Sequence, residues 1–426
     1  VNLGLVLYNA LLPAAGLVAR CAAPFNRKIA EGLKGREGFK ARWREKCAHL
    51  ERRGRVVWFH VSSVGEFEQA KPVMTELSSR LGSSLEIALT FYSPSGMSYF
   101  ERFDRSKRIE AIRFLDYLPI DTPANARFCL DALEPDMLVF VKYDLWPNLV
   151  CESSRRGVPL VLVSGTLSPD SRRLAWPARS LYAAVSEEDA GRFRKDLRSA
   201  VDIVAAGDTR FDRVCERIDG STVKIAPAIA AAGRTWIVAG STWPRDEAVV
   251  IPGFAALRGA HPAAGLILVP HEPTAPRLAE ISAALGRRGL PFSLLSKLLG
   301  ETAPEQVVVA DGIGYLAELY RAGTLAYVGG SFTTGVHNVM EPAVLGLPVF
   351  FGPRIDNSLE ARELVKLGSG EIVRSPDEFA AAASALLDDR ELLRRKGEAA
   401  SKYVRGGCGA ARRSVDVIEK HLTPKT

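Results

Sequence analysis

The chain has 426 residues, 47% of them apolar and 25% charged, with a net charge of +7 at neutral pH. Such a length exceeds what one core ordinarily organises and points to two domains, while the apolar share excludes a disordered chain. The six cysteines, at 21, 47, 129, 151, 215 and 408, show no paired spacing and the six histidines no His-x-x-x-His pattern, which speaks against a zinc site and for a reducing compartment, with Cys129 and Cys151 as small buried hydrophobes.

Residues 1–19 carry no charge and are rich in leucine and valine, whereas the stretch from Arg20 to Lys46 holds nine Lys or Arg against three Glu. Nearly all of the net charge therefore lies beside the N-terminus. The apolar run is close to the roughly 20 residues that span a bilayer, although Asn9, Pro13 and glycine interrupt it. Residues 1–46 are thus expected to form a membrane-associating segment that spans the bilayer or lies in its interface, with the basic run on anionic lipid. The alternative is a core helix with a solvated basic face. A cleaved signal is disfavoured because the positive charges follow the apolar run.

From residue 56 short apolar runs alternate with helical stretches. Strands are expected over residues 56–60, 85–91, 112–115, 137–141 and 160–163, with helices such as 69–81 and 123–133 between them. A second series covers 235–240, 266–270, 307–310, 325–328 and 349–351, and a helix starts near 339. Continuous apolar strands separated by helices predict parallel sheets covered on both faces. The expected domains are 47–215 and 216–405, joined somewhere in 207–233. Residues 406–426, helical over 408–422, either complete the second domain or return to the first.

Ligands of such sheets bind beyond the carboxyl ends of the strands, so the loops there carry the candidates. After the first strand, His60-Val61-Ser62-Ser63-Val64-Gly65-Glu66 places an acid where a helix begins, either as dipole compensation or for acid–base work. After the fourth, Lys142, Asp144 and Trp146 are either a cation–acid pair or a helix cap beside a core indole. Arg210 near the end of the first domain is a candidate anion contact. In the second domain the candidates are Gly240 to Pro244, Pro270 with His271, and Ile313, Gly314 and Tyr315 at a helix start. The longest is the glycine-rich loop from Gly329 to Pro342, which carries Asn338, Val339, Met340 and Glu341. Its glycines permit close backbone approach, and a helix N-terminus after it favours a phosphate. Acids in one half and polar, glycine-containing loops in the other suit acid–base chemistry beside a bound nucleotide.

Taken in order, Ser63-Val64-Gly65-Glu66, Asp144-Leu145-Trp146-Pro147-Asn148, Gly240-Ser241-Thr242, Gly329-Gly330-Ser331, His337-Asn338 and Glu341-Pro342 resemble the Kdo transferases. The resemblance implies an α/β fold of GT-B architecture: two facing, doubly wound Rossmann-like domains with an N-terminal membrane-associated segment. It implies inverting transfer of 3-deoxy-D-manno-octulosonic acid (Kdo) from CMP-Kdo to a lipid A precursor, lipid IVA, in lipopolysaccharide core biosynthesis. The location implied is the cytoplasmic face of the inner membrane of Gram-negative bacteria. By the same resemblance Glu66 is the general base, Asp144 a transition-state partner where the family usually has glutamate, and Arg210 the stabiliser of the leaving charge. Lys142 also departs from the family, which more often has an acid there. Pro270, His271, Ile313, Gly314, Tyr315, Asn338, Val339, Met340 and Glu341 match the CMP contacts, with His271 replacing a more usual arginine and Tyr315 a more usual glutamate. No metal, other cofactor or nucleic-acid partner is expected. The rival readings are a GT-B-like sugar-nucleotide epimerase and a non-catalytic, membrane-tethered nucleotide-binding protein. A dehydrogenase is weaker, because no Gly-x-Gly-x-x-Gly follows a strand with an acid at the proper distance.

Overall fold

A computed structural model describes residues 3–422 apart from 53, 103–108, 167–179, 197–201, 221–228, 230 and 300–303. Part of the expected 207–233 junction thus lies outside the described residues. The chain divides into two compact units, one of Val1–Arg213 with Cys408–Thr426 and one of Val214–Gly407.

In the first unit seven parallel strands form one sheet: β1 Arg55–Val61, β2 Leu85–Phe91, β3 Ile112–Tyr117, β4 Met137–Val141, β5 Leu160–Gly165, β6 Ser180–Ala184 and β7 Asp202–Ala205, in the order β3-β2-β1-β4-β5-β6-β7. Successive side chains point to opposite faces, so Val57, Phe59 and Val139 enter one core while Val56, Trp58 and Leu138 enter the other. The sequence did not announce β6 and β7. Ser-Leu-Tyr-Ala-Ala carries a short apolar run with only one large aliphatic residue and no β-branched one, and β7 is a half-buried edge strand beginning with an exposed aspartate. The C-terminal helix Ala410–His421 packs Val415 and Ile418 into the first unit's core.

The N-terminal helices are α1 Leu3–Ala22, α2 Arg27–Arg36 and α3 Phe39–Ala48. The stretch Leu3–Phe25, with a mean hydropathy of 1.5 and none of it buried, is long and apolar enough to cross a membrane. A core helix would bury its apolar face, and α1 does not. The basic run behaves differently. Trp43 is fully buried between Trp58 and Phe114. Arg42 holds the buried Asp116 carboxylate with two bonds of 2.7 and 2.9 Å, and Lys46 joins it at 2.9 Å. Arg36 donates to the Leu118 and Tyr92 carbonyls and lies 4.3 Å above the Tyr92 ring. Three cations of the run are therefore partners within the first unit.

Four further helices of this unit are α4 Val64–Leu81, α5 Pro94–Arg102, α6 Pro123–Leu133 and α7 Pro147–Arg155. Asp121 caps α7 by accepting the Asn148 and Leu149 amides at 2.9 Å each. The polar turn of α1 docks on this cap: Asn9 and Asn148 exchange amide hydrogen bonds of 3.1 and 2.7 Å, and Tyr8 bonds Asp121.

The second unit repeats the plan with β8 Thr235–Thr242, β9 Ala264–Pro270, β10 Phe292–Leu294, β11 Val307–Val309, β12 Gly323–Val328, β13 Val349–Phe351 and β14 Gly370–Ile372, all parallel in the order β10-β11-β9-β8-β12-β13-β14. Its edge strands β10 and β14 went unforeseen because three residues, most of them only partly buried, carry no periodic signal.

Candidate active site

Strand order decides where each unit can bind. In the first sheet the chain runs from β1 outward through β2 and β3, then returns to β4 and proceeds the other way. The crevice beyond the carboxyl ends of β1 and β4 is thus the topological switch point, the usual ligand position in an open parallel sheet. The same argument places the second unit's crevice between the ends of β8 and β12.

At the β1/β4 crevice the loop after β1 turns into α4, whose N-cap is Ser63, with its hydroxyl accepting the Glu66 amide at 3.3 Å. Glu66 stands in the first turn, and its carboxylate accepts the Ser62 amide at 2.5 Å. The Ser62 hydroxyl donates a short bond to Asp144, which follows β4. One serine thus joins the two carboxyl groups, its amide on one and its hydroxyl on the other. Asp144 is not the cap of α7, a position held by Trp146. Burial raises the Asp144 pKa against the pull of the Ser62 and Trp146 side chains. Burial, and next the charge of Asp144, raise Glu66, while the Ser62 and Ser63 amides and Lys142 act in the opposite sense. Two carboxyls are thus pushed upward at one crevice, Glu66 in part by the charge of Asp144.

Lys142, the first residue beyond β4, has φ +63°, an uncommon conformation for a side chain branching from an L residue. Ser241, near the end of β8, has φ +52°. Each switch point therefore carries one non-glycine residue in the left-handed region, a form of strain that gathers at functional loops. Arg210 opens the helix Thr209–Asp219 after β7 and is ion-paired to Asp208 at 2.6 Å. Asp208 accepts from Gln69 at 3.1 Å, and the Thr209 hydroxyl donates to the Gln69 carbonyl at 2.7 Å. These bonds tie Arg210's loop to the second turn of α4, one turn beyond Glu66.

At the β8/β12 crevice the buried Asp246 carboxylate fastens the two loops together. It accepts the Trp243 and Gly330 amides at 2.9 Å each and the Tyr327 hydroxyl at 2.7 Å. Gly329 is required here, because a Cβ would lie 2.3 Å from the Ser241 carbonyl oxygen. Three aromatic rings cluster at the rim. His271 stacks on Trp243 at 4.8 Å and on His337 at 4.5 Å, and the Trp243 indole donates to His337 Nε2 at 2.9 Å. That bond needs a lone pair on Nε2. Burial, followed by the neighbouring His271, lowers the His337 pKa in keeping with a neutral ring.

The residues expected to contact CMP distribute unevenly. Pro270 ends β9, His271 is in the stack, and Asn338 is exposed beside it, its side chain accepting the Met340 amide at 3.0 Å. Val339 and Met340 are buried, so they offer backbone rather than side chain. Glu341 is largely buried and paired with Arg217 at 2.8 Å. The helix at this point, Met340–Val344, is only five residues long. After β11, Ile313 projects into solvent at 81% exposure, Gly314 has φ +95°, and Tyr315 packs against the core. His60, Ser62 and Trp243 entered the sequence reading only as members of candidate loops, without a role of their own, and Asp246 did not enter it. A serine adjoining a helix cap or an acid in a first turn reads as local capping. Among the described residues, no group of three His, Cys, Asp or Glu is placed to hold a metal ion.

A family model for 3-Deoxy-D-manno-octulosonic-acid transferase (kdotransferase) matches residues 41–213. The 3-deoxy-D-manno-octulosonic acid transferase of Bordetella pertussis is 30% identical over 384 residues, covering 86% of this chain and 87% of that protein. Its counterpart in Aquifex aeolicus is 26% identical over 354 residues, covering 82% and 91% respectively. Among solved structures, UDP-GlcNAc 2-epimerase from Neisseria meningitidis superposes with a TM-score of 0.58 at 14% identity, over 86% of this chain and all of that one. The last is a likeness of fold alone, since one fold serves several reactions. With 30% identity along most of both sequences, the chain belongs to the 3-deoxy-D-manno-octulosonic acid (Kdo) transferases, glycosyltransferases of GT-B fold.

Proposed function

We propose that this Kdo transferase takes its sugar from CMP-Kdo and adds it, with inversion, to a hydroxyl of a lipid A precursor such as lipid IVA. The observation that carries the reading is the pair of carboxyls at the first switch point, joined through Ser62, with both pKa values raised. In this mechanism Glu66 accepts the proton of the acceptor hydroxyl as its oxygen bonds to the anomeric carbon. The bond from that carbon to the phosphate oxygen breaks, and CMP leaves with the electron pair. A base on the face opposite the leaving group gives inversion, by the geometry that governs inverting glycosidases. Asp144, ionised, faces the positive charge that develops on the sugar, and Arg210 stabilises the departing phosphate.

CMP is assigned to the second unit's switch point, with the His271 and His337 stack, Asn338 and the Ile313–Gly314–Tyr315 and Val339–Met340–Glu341 backbones as contacts. Helix α1 is assigned to the cytoplasmic face of the inner membrane, supported by its exposed apolar surface. The test is to incubate full-length protein with CMP-Kdo and lipid IVA in mixed micelles and follow CMP release together with lipid mass. The expected result is one CMP for each Kdo residue gained by the lipid. CMP release without a heavier lipid, or no turnover, would overturn the assignment of donor and acceptor.

A further inference from the structure

Behind Asp144 lies a buried histidine that the mechanism above does not use. His60, near the end of β1, has no exposed side-chain surface. Its Nδ1 is 2.9 Å from the Thr90 hydroxyl oxygen, and the edges of its ring meet Phe140 and Trp146. Its Nε2 is buried without a hydrogen-bond partner among the described residues and stands 3.6 Å from an Asp144 carboxylate oxygen. A buried polar atom left in this state calls for an explanation.

The proton positions follow from what each ring nitrogen faces. Thr90 Oγ1 already accepts the Trp58 indole N–H at 2.9 Å. Its hydroxyl proton goes either to His60 Nδ1 at 2.9 Å or to the Phe59 carbonyl at 3.5 Å, and in the second case Nδ1–H donates to the Thr90 oxygen, so both tautomers satisfy Thr90 and the choice is made on the Nε2 side. With Nδ1 accepting, the one proton of a neutral imidazole sits on Nε2, aimed at Asp144. The opposite tautomer would set an imidazole lone pair against the lone pairs of the Asp144 carboxylate. Burial brings the His60 pKa down to about 3, so the ring stays neutral throughout the working range.

We infer that His60 is a positioning residue: the Trp58–Thr90–His60 chain holds the ring with Nε2 toward Asp144, and the Nε2–H keeps that carboxylate ionised and oriented as the acceptor settles. The inference rests on the role given above to Asp144. The groups around the pair are Thr90 from β2, Phe140 from β4, Trp146 and Lys142 from the following loop, Ser62 and Glu66 from the β1–α4 loop, and Arg36 from α2, whose charge also lowers the His60 pKa.

Two variants separate positioning from packing. His60→Asn places an amide near Nδ1, within reach of Thr90, but cannot reach Asp144, whereas His60→Gln places its amide nitrogen near the position of Nε2. A lost donor raises a carboxylate pKa, so the acid limb of the single-turnover rate of CMP release from CMP-Kdo should move up by about one pH unit in His60→Asn. His60→Gln should return it most of the way. An unmoved limb in His60→Asn, alongside an inactive Asp144→Asn variant, would overturn the inference. Normal turnover in Asp144→Asn would instead overturn the role given to Asp144. Nitrogen-15 NMR of histidine-labelled full-length protein supplies a readout independent of activity. A His60 signal protonated at Nε2 and insensitive to pH between 5 and 9 is expected, and protonation at Nδ1 would refute the proposal even if the variants fail to fold.

Discussion

Replacing Glu66 by glutamine separates a proton acceptor from a helix cap, because the substitution keeps the shape and removes only the charge. The amide oxygen of glutamine still accepts the Ser62 amide, and the backbone bond from residue 66 to the Ser63 hydroxyl is untouched. Exchanging a charge-assisted bond for a neutral one costs about 1 kcal/mol. Removing a half-buried charge that faces Asp144 acts in the other direction. The net change should stay within about 1 kcal/mol, or roughly 2–4 °C in melting temperature for a unit of this size. The sign varies with pH. Because the folded-state pKa of Glu66 is raised, its contribution to stability is fully present below the unfolded value and is lost as pH rises through the folded value. Any gain from glutamine therefore appears at pH 8 and vanishes near pH 4. Turnover should fall by about 100- to 10,000-fold, the usual contribution of a positioned base, with CMP-Kdo affinity little changed. Single-turnover CMP release and thermal melts at the two pH values on one preparation make the test. A folded variant with a near-native rate would refute Glu66 as the base.

Asp116→Asn should destabilise the first unit by about 3 kcal/mol in denaturant melts, since it leaves Arg42 and Lys46 without their buried counter-charge. Deleting residues 1–25, which keeps the Asn26 cap of α2, should abolish sedimentation with anionic vesicles and cost only about 1–2 kcal/mol, the worth of the lost Tyr8 and Asn9 bonds, because α1 buries none of its residues. Trp243→Phe keeps a ring against His271 but withdraws the indole donor from His337 Nε2, so histidine NMR should show the His337 pKa rise. Calorimetry on the same variant should show CMP binding weakened by about 1 kcal/mol.

The central strands were legible because β1, β2 and β4 are buried on both faces and read as mostly apolar runs, β4 without a break and β2 interrupted by Glu86 and Thr90. The position of Glu66 was legible for a related reason, since an acid just after a buried strand and at the start of a helical stretch falls at the carboxyl edge of the sheet, in the first turn of α4. What the sequence hid was partnership. Arg42 and Lys46 look like members of a solvated basic run until β3 brings Asp116 to them from about 70 residues away. His60 looks like any histidine in an apolar strand, because Thr90 and Asp144 reach it from two different strand ends. Asp246 reads as an ordinary first-turn acid, although it also takes the Tyr327 hydroxyl and the Gly330 amide. Local patterns reveal which elements form and which loops are polar, whereas the pairing of charges depends on strand order.

The amide exchange between Asn9 and Asn148 works as a key in a slot. A helix that met its domain through apolar side chains alone would be free to roll about its axis, but two opposed amide bonds admit a single azimuth. Pro13, one turn along, cannot donate to the Asn9 carbonyl and leaves the helix pliable just beyond the key. Asn148 stands four residues from Asp144, so on the membrane reading the roll of α1 and the stand-off between lipid and carboxylates are set together. Inserting one residue between Tyr8 and Asn9 would turn the segment before it by about 100° relative to the key. Tyr8 would swing away from Asp121, and the faces α1 offers to lipid on either side of the insertion would fall out of phase.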